Sequence, residues 1–516
     1  MIKKLFNALV IISMLAVFVP VVAAAPPAQG GGQDYVVVKD DWLSKLADKY
    51  LGNRLSYPAI VALNNEKAAN DSSYAKITNP DRIEVGWKLY IPSAAEAQAY
   101  MGTYSPATAS GQPVTIRVLT MDQAAMSVDQ FNQVAQEFMA ANPNIKVEMT
   151  FVPYEQVHDK FVTGMAATPP AYDVVMVDVI WYDEFIKAGY LADVTAKVSP
   201  NMRQNIFPTA WNVVTRGGKA YGAPWLLDTK YLYYNKDMLA QAGFNAPPKT
   251  WEELLTQAKA IKDKGLVEYP IVWSWAQAEA AVCDYTALLY GNGGKFLDDS
   301  GKPAFNDEKG VAALAWMKKT LDDGLSNPAS VSDLENNVLD VFNQGKAAFA
   351  LNWLFMYDTS NFDTSQSTVT GKVGITTIPV FESMAGTSKS ESVDGSTGFS
   401  VAATSPNVDA AWQYLMYLTS EPVQMKYSSN MLPVWATAYQ GDNLAKLEAA
   451  TKGGAVTVPA FEEQFKYAVL RPNIAYYTEG STALQLALQQ ALTGQKTPKD
   501  ALDAAAAKWT ELASKQ

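Results

Sequence analysis

The chain has 516 residues, 48% hydrophobic and 18% charged, enough apolar material for a sizeable core and more than one domain. A formal net charge of −11, with no long Lys/Arg run to displace phosphate counterions, excludes nucleic acid as a partner and favours a neutral or cationic ligand. The only cysteine, Cys283, excludes an internal disulfide and cysteine-based structural zinc, and the only histidine, His158, excludes Ser/His and Cys/His nucleophile systems unless it serves them itself.

Residues 1–25 read as an export signal: Lys3 and Lys4 precede an apolar run over residues 5–22, and Ala23, Ala24 and Ala25 follow. An uncleaved membrane anchor is the alternative, since the run nearly spans a bilayer, although Pro20 and the small residues favour cleavage. The protein is therefore expected outside the membrane: extracellular, wall-associated or periplasmic. No cysteine follows the apolar run, so a lipid cannot be attached there and another tether is needed. A linker over residues 26–34 leads to a compact block at 35–92. A flexible Ala/Ser/Gly/Pro-rich linker at 93–113 then precedes a large region at 114–516.

In that region VTIRVLT and IKVEMTFV have strand periodicity, the second with Ile145, Val147, Met149 and Phe151 on one side. Helices follow them, with Phe131, Val134 and Phe138 on one face of the first and Val157, Phe161 and Met165 on one face of the second. His158, in YEQVHDKF, falls on the polar face and is expected at the surface. DVVMVDV is nearly continuous apolar, as a central parallel strand requires, and completes a β-α-β-α-β unit. Farther on, Thr250 with Glu253 starts a helix that Gly265 ends, and Thr497, Pro498 and Asp500 start another. Residues 382–397 read as an exposed loop, and no repeat at solenoid spacing is present.

The 35–92 block has an opening strand at residues 35–38, an Asp40-Asp41 turn and a Leu43/Leu46/Ala47 helix stripe. A second helix carries Ile60 and Leu63 into Asn64, and the block closes with Ile83-x-x-Gly86-x-x-Leu89-x-Ile91-Pro92. In this it resembles the LysM family over its whole length, which implies a small β-α-α-β domain. The resemblance implies binding to peptidoglycan or another N-acetylglucosamine polymer, with Asp41, Trp42 and the loop around Pro80 as candidate contacts. Most other residues of the block are read as packing, and Asp40 or Asp41 stands where the family usually has a glycine.

Residues 114–516 resemble the extracellular solute-binding proteins of ABC transporters that receive maltose, trehalose and related sugars. The segments DVVMVDVIWYDEFIKAGYLADV, GGKAYGAPWLLDTKYLYYNKDMLAQAG, VWSWAQAEAAVCDYTALLYGNGG, FNQGKAAFALNW and AVLRPNIAYYTEGSTALQLALQQALTG carry the likeness in the family's order. The implied fold is α/β: a two-lobed periplasmic-binding-protein architecture with hinge-linked lobes. The first lobe covers about 114–228 and 398–458, the second about 229–380 and 472–516. The segments near 227–231, 379–398 and 458–471 are expected to cross between them.

The resemblance brings Asp178, Trp181, Trp225, Asp228, Glu279, Trp353 and Arg471 to a ligand cleft. Asp122, after the first strand, is read either as a ligand contact or as a helix-start carboxylate, and one of Trp273 and Trp275 is expected to meet ligand. Such residues suit a sugar: rings pack on its C–H face, carboxylates accept from hydroxyls, and arginine donates. Thr397 stands where many relatives have an aromatic residue, and Trp275 and Ala278 replace a common glycine and tyrosine.

The function implied is a monomeric receptor, without enzymatic activity, cofactor or metal. It captures a sugar or oligosaccharide by lobe closure, delivers it to an ABC transporter permease, and is tethered to wall glycan by the LysM-like module. The alternative is a secreted glycan-binding or glycoside-hydrolysing cell-wall protein, for which two cleft carboxylates would suffice.

Overall fold

The computed structural model describes residues 31–39, 41–52, 56–78, 82–101, 113–122, 125–429 and 431–516. The segment read as an export signal, Asp40, Pro80 and residues 102–112 of the expected linker lie outside them. The chain divides into two bodies, Met1–Met101 and Gly102–Gln516.

In the first body β1 (Gln33–Val36) pairs antiparallel with β2 (Lys88–Ile91), and two helices, Leu43–Leu51 and Tyr57–Asn70, lie between them in sequence. Val37, Leu43, Leu46, Ala47, Ile60, Ile77, Leu89 and Ile91 form its core. Asn64 is wholly buried and ties the helices to the sheet by accepting from Tyr90 N and donating to Ala75 O. Gly86 takes a φ of 91°, which the turn before β2 requires.

The start of the expected flexible linker departs from its reading, because Ala94–Met101 is a helix with Ala97 buried. Its Ala-rich sequence has high helix propensity. Glu96 fixes its start by accepting from Ser93 N, Gly32 N and the Tyr90 hydroxyl at 2.8–2.9 Å.

The second body is built on two sheets. Strands β3 (Val114–Met121), β4 (Ile145–Val152) and β5 (Val174–Asp178) are mutually parallel in the order β4-β3-β5. After the short hairpin β6 (Thr215–Arg216) and β7 (Lys219–Ala220) comes β8 (Ala223–Leu226). The second sheet contains β9 (Lys230–Asn235), β10 (Ile271–Val272), β11 (Phe349–Trp353) and β12 (Val373–Thr376), in the order β10-β11-β9-β12. The chain then forms β13 (Ser392–Val393) and β14 (Thr397–Val401), and later β15 (Ala468–Val469). β14 lies between β5 and β8, so the first sheet reads β4-β3-β5-β14-β8. Every residue of β5 is buried, as its apolar run predicts.

The chain crosses between sheets at residues 227–229, from β8 to β9, and at 394–396, from β13 to β14. The two crossings are joined by a bridge between Thr229 and Asp394. β13 pairs with β15 at the same junction, placing Arg471 immediately beyond it. The segment at 382–397 is exposed mainly in its first half, whereas Ser390, Ser392 and Ser396 are wholly buried. Its serines read as solvent-facing, but their hydroxyls serve the junction: Ser392 Oγ donates to Lys230 O, Thr229 Oγ1 donates to Ser392 Oγ, and Ser390 Oγ donates to Ile378 O. The helix Gly454–Gln464 packs on β12, and its buried Gln464 accepts from Ile378 N at 2.7 Å.

Candidate functional site

Parallel strands deliver their C-terminal ends to one edge of a sheet, where open α/β folds place ligands. In the first sheet Asp122 follows β3, Pro153 and Tyr154 follow β4, and Asp178 ends β5. In the second, Trp353 ends β11, and Glu279 begins the helix Glu279–Gly291 that follows β10. These ends line one cavity of about 370 Å³ that also takes Asp228 and Arg471 from the crossing segments. Six of the residues singled out in the sequence thus meet: Asp122, Asp178, Asp228, Glu279, Trp353 and Arg471.

Arg471 is at the centre of this group, only 2% exposed. Its Nη1 donates to Glu279 Oε1 at 2.6 Å, its Nη2 donates to Asp394 O at 3.1 Å, and Nη2 lies 3.5 Å from Asp178 Oδ1. One guanidinium therefore joins the first sheet, the second sheet's following helix and the crossing strand. Asp178 also accepts from Ile180 N and the Tyr154 hydroxyl. Burial raises its pKa to about 6 against the pull of Arg471. Glu279 is further held by Tyr477 Oη at 2.7 Å and by Ser481 Oγ.

Asp228 accepts from Thr229 N, and burial, aided by Asp394, raises its pKa to about 7. Cys283 also lines the cavity, but burial pushes its thiol up to about 12, so it is no thiolate nucleophile at neutral pH.

Trp353 is fixed on several sides. Its Nε1 donates to Glu335 Oε1 at 3.2 Å, the Lys230 ammonium lies 5.2 Å from its ring centre, and Gly395 lies so close that a Cβ there would meet the ring at 2.4 Å. Lys230 is itself fully buried: it donates to Asp284 Oδ1 at 2.7 Å and Ser274 Oγ at 3.0 Å, and stands 3.6 Å from Glu335.

Four candidate residues are not brought to the cavity. Trp225 is wholly buried between Phe131 and Phe399. Trp273 and Trp275 do share a side, as their spacing predicts, but they stack on each other at 4.8 Å in an aromatic core with Trp251 and Trp316. Trp181 is a layer behind the wall, stacked at 5.3 Å on Tyr154, which reaches the cavity in its place. His158 is on the expected helix but is not an open surface residue. Its side chain is 14% exposed, bonded to Asp159 and Glu184 and stacked on Phe185.

Sequence reasoning did not select Tyr154, Glu155, Glu335 or Phe355 for the cleft, all of which line it. For Tyr154 a signal existed: it follows a strand end and a proline, as Asp178 ends its own strand.

In the first body Asp41 is a turn holder, its Oδ2 accepting from Val38 N at 2.9 Å and the Tyr35 hydroxyl at 2.7 Å. Trp42 is 55% exposed, with the Lys45 ammonium 5.1 Å from its ring. Among the described residues no cluster of three or more His, Cys, Asp or Glu is arranged to hold a metal. No described helix is long and apolar enough to cross a membrane.

The model of the bacterial extracellular solute-binding protein family matches residues 125–425. The chain belongs to that family. The LysM domain model matches residues 35–92, so this solute-binding protein carries a LysM domain as its first body. Among curated relatives, a probable ABC transporter-binding protein of Deinococcus radiodurans is 30% identical over 344 residues, 64% of this chain and 77% of that one. A galactooligosaccharide-binding protein of Bacillus subtilis is 27% identical over 371 residues, 70% and 82% of the two chains. Among solved structures, maltose-bound MalE3 of T. maritima superposes with a TM-score of 0.70 at 30% identity, covering 77% of this chain and 100% of that one. A solute-binding protein of Thermotoga lettingae bound with α-D-tagatose gives 0.67 at 27% identity, covering 77% and 99%. The second body is thus the two-lobed fold of that solute-binding family.

Proposed function

We propose that this protein is an exported receptor that captures a sugar or oligosaccharide between its two lobes and delivers it to the membrane permease of an ABC transporter, while its LysM domain holds it to cell-wall glycan. The observation that carries the reading is Arg471, buried in the cleft and bonded at once to residues of both lobes, beside a braced indole and a set of carboxylates. A pyranose offers an apolar C–H face for Trp353 and hydroxyls for Asp178, Asp228 and Glu279. Contacts from both lobes favour the closed state, and a ligand shifts the lobes only by its differential affinity for that state; solute-binding proteins are among the general examples of such hinge closure. Maltose, tagatose and galactooligosaccharide in the names of similar proteins support the same ligand class.

A panel of mono- and oligosaccharides followed by thermal shift tests this, because a closing receptor is stabilised by its own ligand. A sugar raising the melting temperature in a concentration-dependent way is the expected result. No response to sugars, with peptides positive, would reject the ligand class. One observation favours a second reading: Asp228, protonated up to about pH 7, has the property a glycosidase needs in its general acid. Release of shorter products from an incubated oligosaccharide would establish that reading instead.

A further inference from the structure

We infer that Thr397 is a specificity-determining residue whose buried hydroxyl, together with Arg471 Nε, reads free hydroxyls on the ligand's edge, so that the cleft accepts neutral polyhydroxyl ligands and rejects acidic and amino ones. The inference rests on the sugar-receptor reading and narrows its substrate class.

Buried polar side-chain atoms in native proteins almost always have a partner. Among the described residues, two buried side-chain atoms of the cavity lining have none: Thr397 Oγ1 and Arg471 Nε. Thr397 is 6% exposed and Arg471 2%. The remaining buried side-chain atoms without a partner belong to residues that do not line the cavity. Thr397 opens β14, where its register partners are Asp178 on β5 and Leu226 at the end of β8. Asp178 in turn lies 3.5 Å from Arg471, and Asp228 follows Leu226 by two residues. Both unpartnered groups and two carboxylates therefore share one corner of the cleft.

The chemistry of that corner is selective. Arg471 Nε–H can only donate, an ionised carboxylate can only accept, and the threonine hydroxyl does both. A ligand hydroxyl satisfies all three, accepting from arginine while donating to Asp178 or Asp228. A ligand carboxylate accepts from arginine but meets Asp178 and Glu279, the two carboxylates that pair with Arg471, with like charge. A ligand ammonium pairs with the carboxylates yet has no lone pair for Arg471 and adds a cation beside the guanidinium. The overall acidity of the chain leaves cationic ligands open, and the donor at Arg471 Nε closes that option.

Calorimetric titration of the full chain tests this with maltose and D-tagatose, and with D-glucose, D-glucosamine and D-glucuronate as matched neutral, cationic and anionic probes. The neutral sugars should bind, and the charged counterparts should bind at least about tenfold more weakly than glucose. Valine has the shape of threonine without its hydroxyl. Thr397→Val should therefore lose about tenfold in affinity for the tightest neutral probe, whereas Thr397→Ser should stay close to the parent. A Thr397→Val protein that melts and binds like the parent would overturn the role of Thr397 and leave the receptor reading standing. Tighter binding of a charged probe than of glucose would overturn the selectivity. If no neutral sugar bound the parent chain, the receptor reading would fall and this inference with it. Should Thr397→Val lower the melting temperature, Thr397→Ser and the matched probes still decide.

Discussion

Asp228 stands two residues past β8, its carboxyl at the cleft and in no ion pair among the described residues, with only a weak pull from Lys230. Burial raises its pKa from 3.8 to about 7, so folding favours its protonated form. Its contribution to stability is complete below about pH 4 and is lost as the pH rises through about 7. Asp228→Asn removes the charge and keeps the acceptor for Thr229 N. The ligand-free variant is expected to melt a few degrees above the parent at pH 8, with the gain shrinking at pH 5 and gone by about pH 4. A difference independent of pH would show that Asp228 is not the titrating group. That an acid occupies this position was legible, because a carboxylate directly after an apolar strand lies at a strand end, where clefts form. The tryptophans were less legible, since an indole serves equally as core or as ligand plate, and residues 225, 273 and 275 are assigned to the core only by the elements that close over them.

Strand β11 and the crossing strand between β13 and β14 together decide how Trp353 is presented. The indole is bonded through Nε1 to Glu335, adjoined by Lys230, and approached by Gly395, which has no Cβ to displace it. Gly395→Ala places a methyl group 2.4 Å from the ring, closer than any stable contact, and the backbone there belongs to a junction that Ser396 N and Asp394 hold in place. The side chain must therefore yield before the strand does. Ligand affinity is expected to fall by about tenfold or more, a loss comparable to an overpacking strain of about 1–3 kcal/mol. Calorimetric titration with the best sugar checks it, and an unchanged affinity would mean that Trp353 is not the stacking surface. This brace could not be read from the chain, where Lys230, Glu335, Trp353 and Gly395 stand in four separate segments. The strands themselves were readable, because period-two and continuous apolar runs reflect one-sided and two-sided burial. The serines before β14 were not, because a hydroxyl that donates to a buried carbonyl has the same sequence as one that faces water.

At the scale of the molecule, the two bodies have separate hydrophobic cores, residues 37–91 supplying one and residues 116–512 the other. Each core supplies apolar burial for the folding of its own body. The division of labour follows from the same separation. The cavity, its carboxylates and its indole all belong to the second body, and the LysM domain belongs to the first. In the proposed function, retention at the cell falls to the LysM domain. A protein comprising residues 114–516 is accordingly expected to keep the sugar-dependent rise in melting temperature within about a degree of the full chain, because ligand linkage depends only on the body that binds. It should no longer co-sediment with purified peptidoglycan, while the full chain does. Equal sedimentation of the two proteins would place wall retention outside the LysM domain. Loss of the sugar response on truncation would instead make the first body part of the receptor, against the separation of the two cores.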